Sequence, residues 1–130
     1  MAGYTIKNLK EIEDQAPKFG YAPKLEARFA RDALGCEQLG LSYQRLAPNE
    51  RSPFGHKHRE QEEVYVVLGG SGRVKLDDEV LDVVPLDAVR VARETARAFE
   101  AGPDGLELLA VGAPNTGPGD VELLQGWWTD

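Results

Sequence analysis

The sequence predicts an all-β domain, and three observations carry that expectation. Apolar residues recur with period two rather than 3.6, in roughly eight short runs. Glycine and proline make up 22 of the 130 residues and fall mostly between those runs. The length suits one domain with a core of its own. Together they point to a closed or double-sheet antiparallel β architecture. Periodicity alone does not choose between barrel, sandwich and jelly roll.

Taken in order, residues 1–24 read as an N-terminal arm, 25–113 as the β domain and 114–130 as a C-terminal tail. In the arm, Thr5-Ile6-Lys7 is strand-like. Asn8-Leu9-Lys10-Glu11 has an N-cap residue with Glu three positions on, the pattern of a helix start. Pro17, Gly20 and Pro23 rule out a long helix there. Leu25, Ala27 and Phe29 then alternate with Glu26 and Arg28. A second run covers Gln38 to Leu46, followed by the turn Ala47-Pro48-Asn49-Glu50. Glu63 to Leu68 is β-branched and aromatic, a strand. Gly69-Gly70-Ser71-Gly72 reads as a hairpin turn, since the Lys-Ser/Thr of a phosphate loop is missing. Strand character resumes at Arg73 to Leu76, turns at Asp77-Asp78, and returns at Glu79 to Val84, Ala88 to Val91, Arg97 to Glu100 and Leu106 to Val111. The tail turns apolar at Val121 to Leu124 and carries Trp127 and Trp128, which suit either a dimer contact or packing on the chain's own barrel.

Composition excludes some functions. A net charge of −7 opposes binding to nucleic acid or to an anionic membrane surface. The single Cys36 cannot form an intrachain disulfide and reads as a small buried hydrophobe. The first residues carry charge where a secretory leader needs apolar residues, and no apolar run approaches membrane-span length. The expectation is a cytoplasmic protein.

The two histidines of the chain, His56 and His58, stand two positions apart. On an extended segment both imidazoles face one side, and neutral imidazole is the commonest metal ligand. A carboxylate follows at Glu60, Glu62 or Glu63. Two histidines and one carboxylate with open positions suit iron, manganese, nickel or zinc. Parity leaves the carboxylate open. An uninterrupted strand puts Glu62 on the histidine face, whereas a turn or bulge at Arg59-Glu60-Gln61 puts Glu63 there, beside Tyr65 and Val67. Tyr65 and Tyr43 are candidates for a pocket wall, though aromatic strand residues commonly belong to a core.

The run from His56 through Gly70 (HxH, four residues, Glu, six residues, Gly) resembles the first motif of the cupin superfamily, with His56, His58, Glu63 and Gly70 in its slots. Leu81 to Val91, with Pro85 and Asp87, resembles the start of the second motif. The resemblance spans roughly residues 38 to 112 and favours Glu63 over Glu62. It implies a small jelly-roll, double-stranded β-barrel with an interior metal or ligand site, often in a homodimer. Three positions depart from the family pattern. Glu50 and Asp87 stand where glycines are usual, and Arg97 stands where the second motif supplies a third histidine. An inward Arg97 would repel a cation, pair with Glu63, or hold a substrate carboxylate or phosphate; an outward one would be a solvated strand residue.

Two functions follow as expectations, with catalytic residues unassigned. One is a divalent metal at His56, His58 and Glu63 acting on a small-molecule substrate, with Arg97, Tyr65 and Glu62 as ligand-binding candidates. The other is a metal-free module that binds a carboxylate or a sugar-like ligand without catalysis. A barrel retained only as a scaffold is the third, blander outcome.

Overall fold

Strand alternation becomes a curled antiparallel sheet in the computed structural model, which describes residues 3–129. The strands are β1 (Leu25–Phe29), β2 (Gly40–Leu46), β3 (Gly55–His58), β4 (Glu62–Leu76), β5 (Glu79–Val83), β6 (Ala88–Val91), β7 (Arg97–Ala113) and β8 (Val121–Leu124). One short helix, α1 (Arg31–Leu34), lies between β1 and β2.

Two long strands organise the molecule. The first half of β4 pairs with the last third of β7, in the register Glu63↔Gly112, Tyr65↔Ala110 and Val67↔Leu108. Its second half pairs with the start of β7, in the register Gly72↔Ala101, Val74↔Phe99 and Leu76↔Arg97. β1, β2 and β6 flank the first pairing, while β3, β8 and β5 flank the second. Each long strand therefore passes from one half of the barrel to the other. The bend falls at register shifts between Val67 and Gly69 and between Gly70 and Gly72. Gly70 takes a φ of +75°, and a Cβ there would lie 2.0 Å from the Gly105 carbonyl oxygen.

This corrects the reading of residues 69–72 as a hairpin turn. Glycine weakens a strand whether the chain reverses or merely bends, and here β4 continues for 15 residues through the corner. The runs at Arg97 and Leu106 are likewise one 17-residue strand. In the arm, Asn8 caps a short 3₁₀ turn at Leu9–Glu11 through its side chain, as its sequence suggested. Thr5-Ile6-Lys7 is not a strand, because no edge partner lies beside it among the described residues.

Side chains from both halves meet in one core: Tyr65, Val67, Val74, Val83, Val91, Phe99, Leu106 and Leu108 are buried together. The Phe99 ring lies against Tyr65, with centroids 4.9 Å apart. That contact fixes the inner face of β4, and thereby which residues of β3 and β7 look inward. Cys36 is half-buried next to α1. No helix among the described residues is long and apolar enough to cross a membrane.

Candidate functional site

Strand parity decides which carboxylate enters the barrel. Glu63, Tyr65 and Val67 share the inner face of β4, and Glu62 faces out. Its side chain is 58% exposed and pairs with Arg90 at 2.9 Å. Glu62 therefore does not reach the cluster, which corrects its candidacy as a ligand-binding residue. The reversal in parity comes from residues 59–61, which leave the extended line between His58 and Glu63.

That turn is tied down from far along the chain. Asp120 Oδ1 accepts from the backbone N–H groups of Arg59 (3.1 Å) and Glu60 (2.7 Å), and Oδ2 accepts from that of Gln61 (3.2 Å). Asp120 Oδ2 also lies 2.9 Å from His58 Nδ1. A carboxylate only accepts, so Nδ1 carries the proton and His58 Nε2 is directed to the interior. Asp120 reaches this position because β8 pairs with β3 throughout Gly55–His58. No local pattern in the tail marks it.

In the interior, His58 Nε2 is 3.1 Å and His56 Nε2 3.6 Å from Glu63 Oε1. One ligand atom from each of the three residues lies within 4.8 Å of the others. Tyr65 donates its hydroxyl to Oε1 at 2.6 Å, and Gln61 Nε2 donates to Oε2 at 2.9 Å. Arg97 sits opposite His56 in the register and is fully buried. Its Nη2 lies 4.0 Å from Glu63 Oε1, so of the two orientations left open by sequence the inward one is adopted.

Electrostatics follow from these contacts. Burial opposes ionisation of Glu63, but hydrogen bonds from His56, His58 and Tyr65 outweigh it and hold the carboxyl well below its usual range. Burial depresses His56 and prevails over Glu63, leaving a neutral imidazole. Burial also acts against His58, yet Glu63 and Asp120 together raise its affinity for a proton. Burial and the neighbouring Glu63 charge keep the Tyr65 phenol protonated far above its ordinary value.

The donor set fits a divalent ion. Such ions hold nitrogen and oxygen ligands at about 2.0–2.2 Å, which places neighbouring ligand atoms about 3.0–3.5 Å apart. The separations from Glu63 to the two histidines are close to that. His58 Nε2 and Glu63 Oε1 would both be available to hold such an ion, and Asp120 supplies the outer carboxylate that commonly orients a metal-bound histidine.

The remaining candidates serve the frame. Tyr43 is on the outer sheet face, hydrogen-bonded to Glu107. Trp127 packs where a Cβ on Gly55 would meet its ring at 2.4 Å, and Lys75 lies over the same ring. Trp128 lies under Arg51 and Arg73. Both tryptophans therefore pack on the chain's own barrel. Two surface clefts, of about 380 and 250 Å³, lie at the bends of the long strands and touch none of the His–His–Glu cluster. Depth at a strand corner does not indicate chemistry, and the convergence of ligand atoms is the better guide to a site.

No family model and no curated protein sequence matches this chain. Solved structures do. A cupin protein from Bacteroides fragilis superposes with a TM-score of 0.72 at 21% identity, over 90% of this chain and 89% of that one. The polyketide cyclase RemF from Streptomyces resistomycificus gives 0.73 at 22% identity, over 97% and 87%. The nucleoside dehydratase Pac13 from Streptomyces gives 0.70 at 16% identity, over 96% and 92%. The chain has the cupin fold.

Proposed function

We propose that the barrel interior binds one divalent transition metal, drawn from iron, manganese, nickel and zinc, through His56, His58 and Glu63, and processes a small molecule there. The observation that carries this reading is the convergence of three ligand atoms within 4.8 Å, with the His58 tautomer set by Asp120. Bound there, the ion would supply Lewis-acid polarisation of a substrate oxygen.

The chain's own residues prepare that position. Gln61 and Tyr65 occupy lone pairs of Glu63 and hold it with Oε1 toward both histidines. Tyr65 keeps its proton and donates it to Oε1, so it orients the carboxylate rather than acting as an anion. Three protein ligands leave coordination positions for substrate. Like-folded proteins named as a polyketide cyclase and a nucleoside dehydratase support enzymatic use of such a barrel, without choosing the reaction here. A cytoplasmic homodimer of one cupin-like domain completes the reading.

Metal analysis of untagged protein, produced with each of the four metals in turn, tests it. Near-stoichiometric metal that disappears in H58A and in E63Q is expected. No metal under any supplementation overturns the reading and leaves the metal-free binding module. Light scattering in solution checks the dimer.

A further inference from the structure

The interior holds a cation whose contacts are incomplete. Arg97 is 0% exposed, yet its Nε has no hydrogen-bond partner. Nη1 reaches the His56 carbonyl at 3.5 Å and Nη2 the Ala92 carbonyl at 3.3 Å, both long contacts. Glu63 Oε1, at 4.0 Å, is beyond hydrogen-bond range of Nη2. Among the described residues it has no other ion pair. Glu63 is engaged by His56, His58, Tyr65 and Gln61, and Asp120 by His58 and three backbone N–H groups. A guanidinium whose only task was to neutralise Glu63 would close that gap to a direct ion pair, since a buried charge left short of partners is costly.

The shape of the group says what is missing. In any guanidinium, the Nε–H and one Nη2–H bond lie side by side on one edge, spaced to meet the two oxygens of a single oxyanion. Nη2, the nitrogen 4.0 Å from Glu63 Oε1, belongs to this edge together with the unpartnered Nε, so the open edge begins beside the His–His–Glu cluster. Charge gives the valence. If the metal reading above holds, a divalent ion and Arg97 supply three positive charges against two negative ones from Glu63 and Asp120, and one monoanionic group restores neutrality. The His56 side chain is 25% exposed, which leaves an approach from solvent on that side of the cluster.

We infer that the substrate of this site carries a carboxylate, which docks on the Nε–Nη2 edge of Arg97 beside Glu63. A carboxylate fits better than a phosphate because it brings one charge rather than two. A neutral sugar offers Arg97 no compensation. The inference rests on the metal reading for its charge count, and on Arg97's own contacts for its place.

Glycolate, its neutral match glycolamide, and inorganic phosphate are the probes. Each is titrated calorimetrically into wild type, R97M and R97K, as purified and after chelator treatment, with metal measured on every sample. Glycolate is expected to bind wild type while glycolamide does not, and R97M is expected to weaken glycolate by at least about tenfold at unchanged metal content. R97K keeps the charge but loses the paired edge, so an intermediate loss is expected. It also serves as the reading if R97M does not fold. Equal glycolate binding by wild type and both variants overturns the inference. So does a preference for phosphate, or binding of none of the three by metal-loaded wild type. Protein that takes up no metal under any supplementation yet binds glycolate through Arg97 overturns the metal reading alone.

Discussion

Glu63 inside the barrel and Glu26 on its outer face are both buried carboxylates held ionised, and they are held by opposite means. Glu26 is surrounded by permanent cations: Lys10 at 2.7 Å, Arg28 at 2.7 Å and Arg45 at 3.0 Å. Burial raises its pKa, but these three hydrogen-bonded partners bring it down to about 2. Glu63 is surrounded by two imidazoles, a phenol and an amide, with the Arg97 guanidinium set back at 4.0 Å. The outer cluster is complete and fastens the N-terminal arm, with Arg28 also donating to the carbonyls of Lys10 and Ile12. The inner one is stabilised in part by two imidazoles, which can exchange a proton for a metal. A buried acid saturated with fixed charge reads as structural, and one surrounded by exchangeable donors reads as a site.

The largest effect that tests this contrast is H58A, which removes a proposed ligand and the group on which Asp120 acts. Metal should fall from near one equivalent to background by elemental analysis, while E26Q should retain it fully. D120N comes next. The fold should survive, but loss of the outer carboxylate should weaken metal binding by roughly tenfold to a hundredfold in a chelator competition. Equal metal affinity in D120N would reduce Asp120 to a turn fastener.

E26Q should lower stability by about 1–2 kcal/mol in urea unfolding, a figure kept small because Lys10 and Arg45 are substantially exposed. The same residue sets an acid response. Its folded pKa of about 2 lies below the ordinary 4.5, so between those values the unfolded chain binds more protons than the folded one. Its contribution is therefore full above pH 4.5 and lost as pH falls toward 2. Urea midpoints of E26Q should decline less over that interval than those of wild type. Smallest of all, E62Q should change neither metal content nor stability beyond about 0.5 kcal/mol, because its partner Arg90 is also exposed. A loss of metal in E62Q would mean that the inner and outer faces of β4 have been exchanged.

These same residues show what was legible before any coordinates. Period-two alternation located the strands because a half-buried strand must alternate, and His56, His58 and Glu63 stood out because histidine is scarce here. The corner at residues 69–72 was misread, since glycine marks a bend and a reversal alike. The orientation of Arg97 could not be read from its strand: Arg97, Ala98 and Phe99 are all buried, so no polar face declares itself. Asp120 was missed because it acts 62 positions from His58, through a pairing that no local pattern encodes.

The pairing of β8 with β3 has a consequence for how the protein is made. Residues 120–124 are translated more than sixty positions after the strand they support. While the chain emerges from the ribosome, His58 has no Asp120 to set its tautomer, and the turn at residues 59–61 has no acceptor for its N–H groups. Every residue of the core precedes position 111, so the core is complete in sequence before this support is added. If a metal binds there, its tight capture requires β8 seated on β3 as well as a folded core.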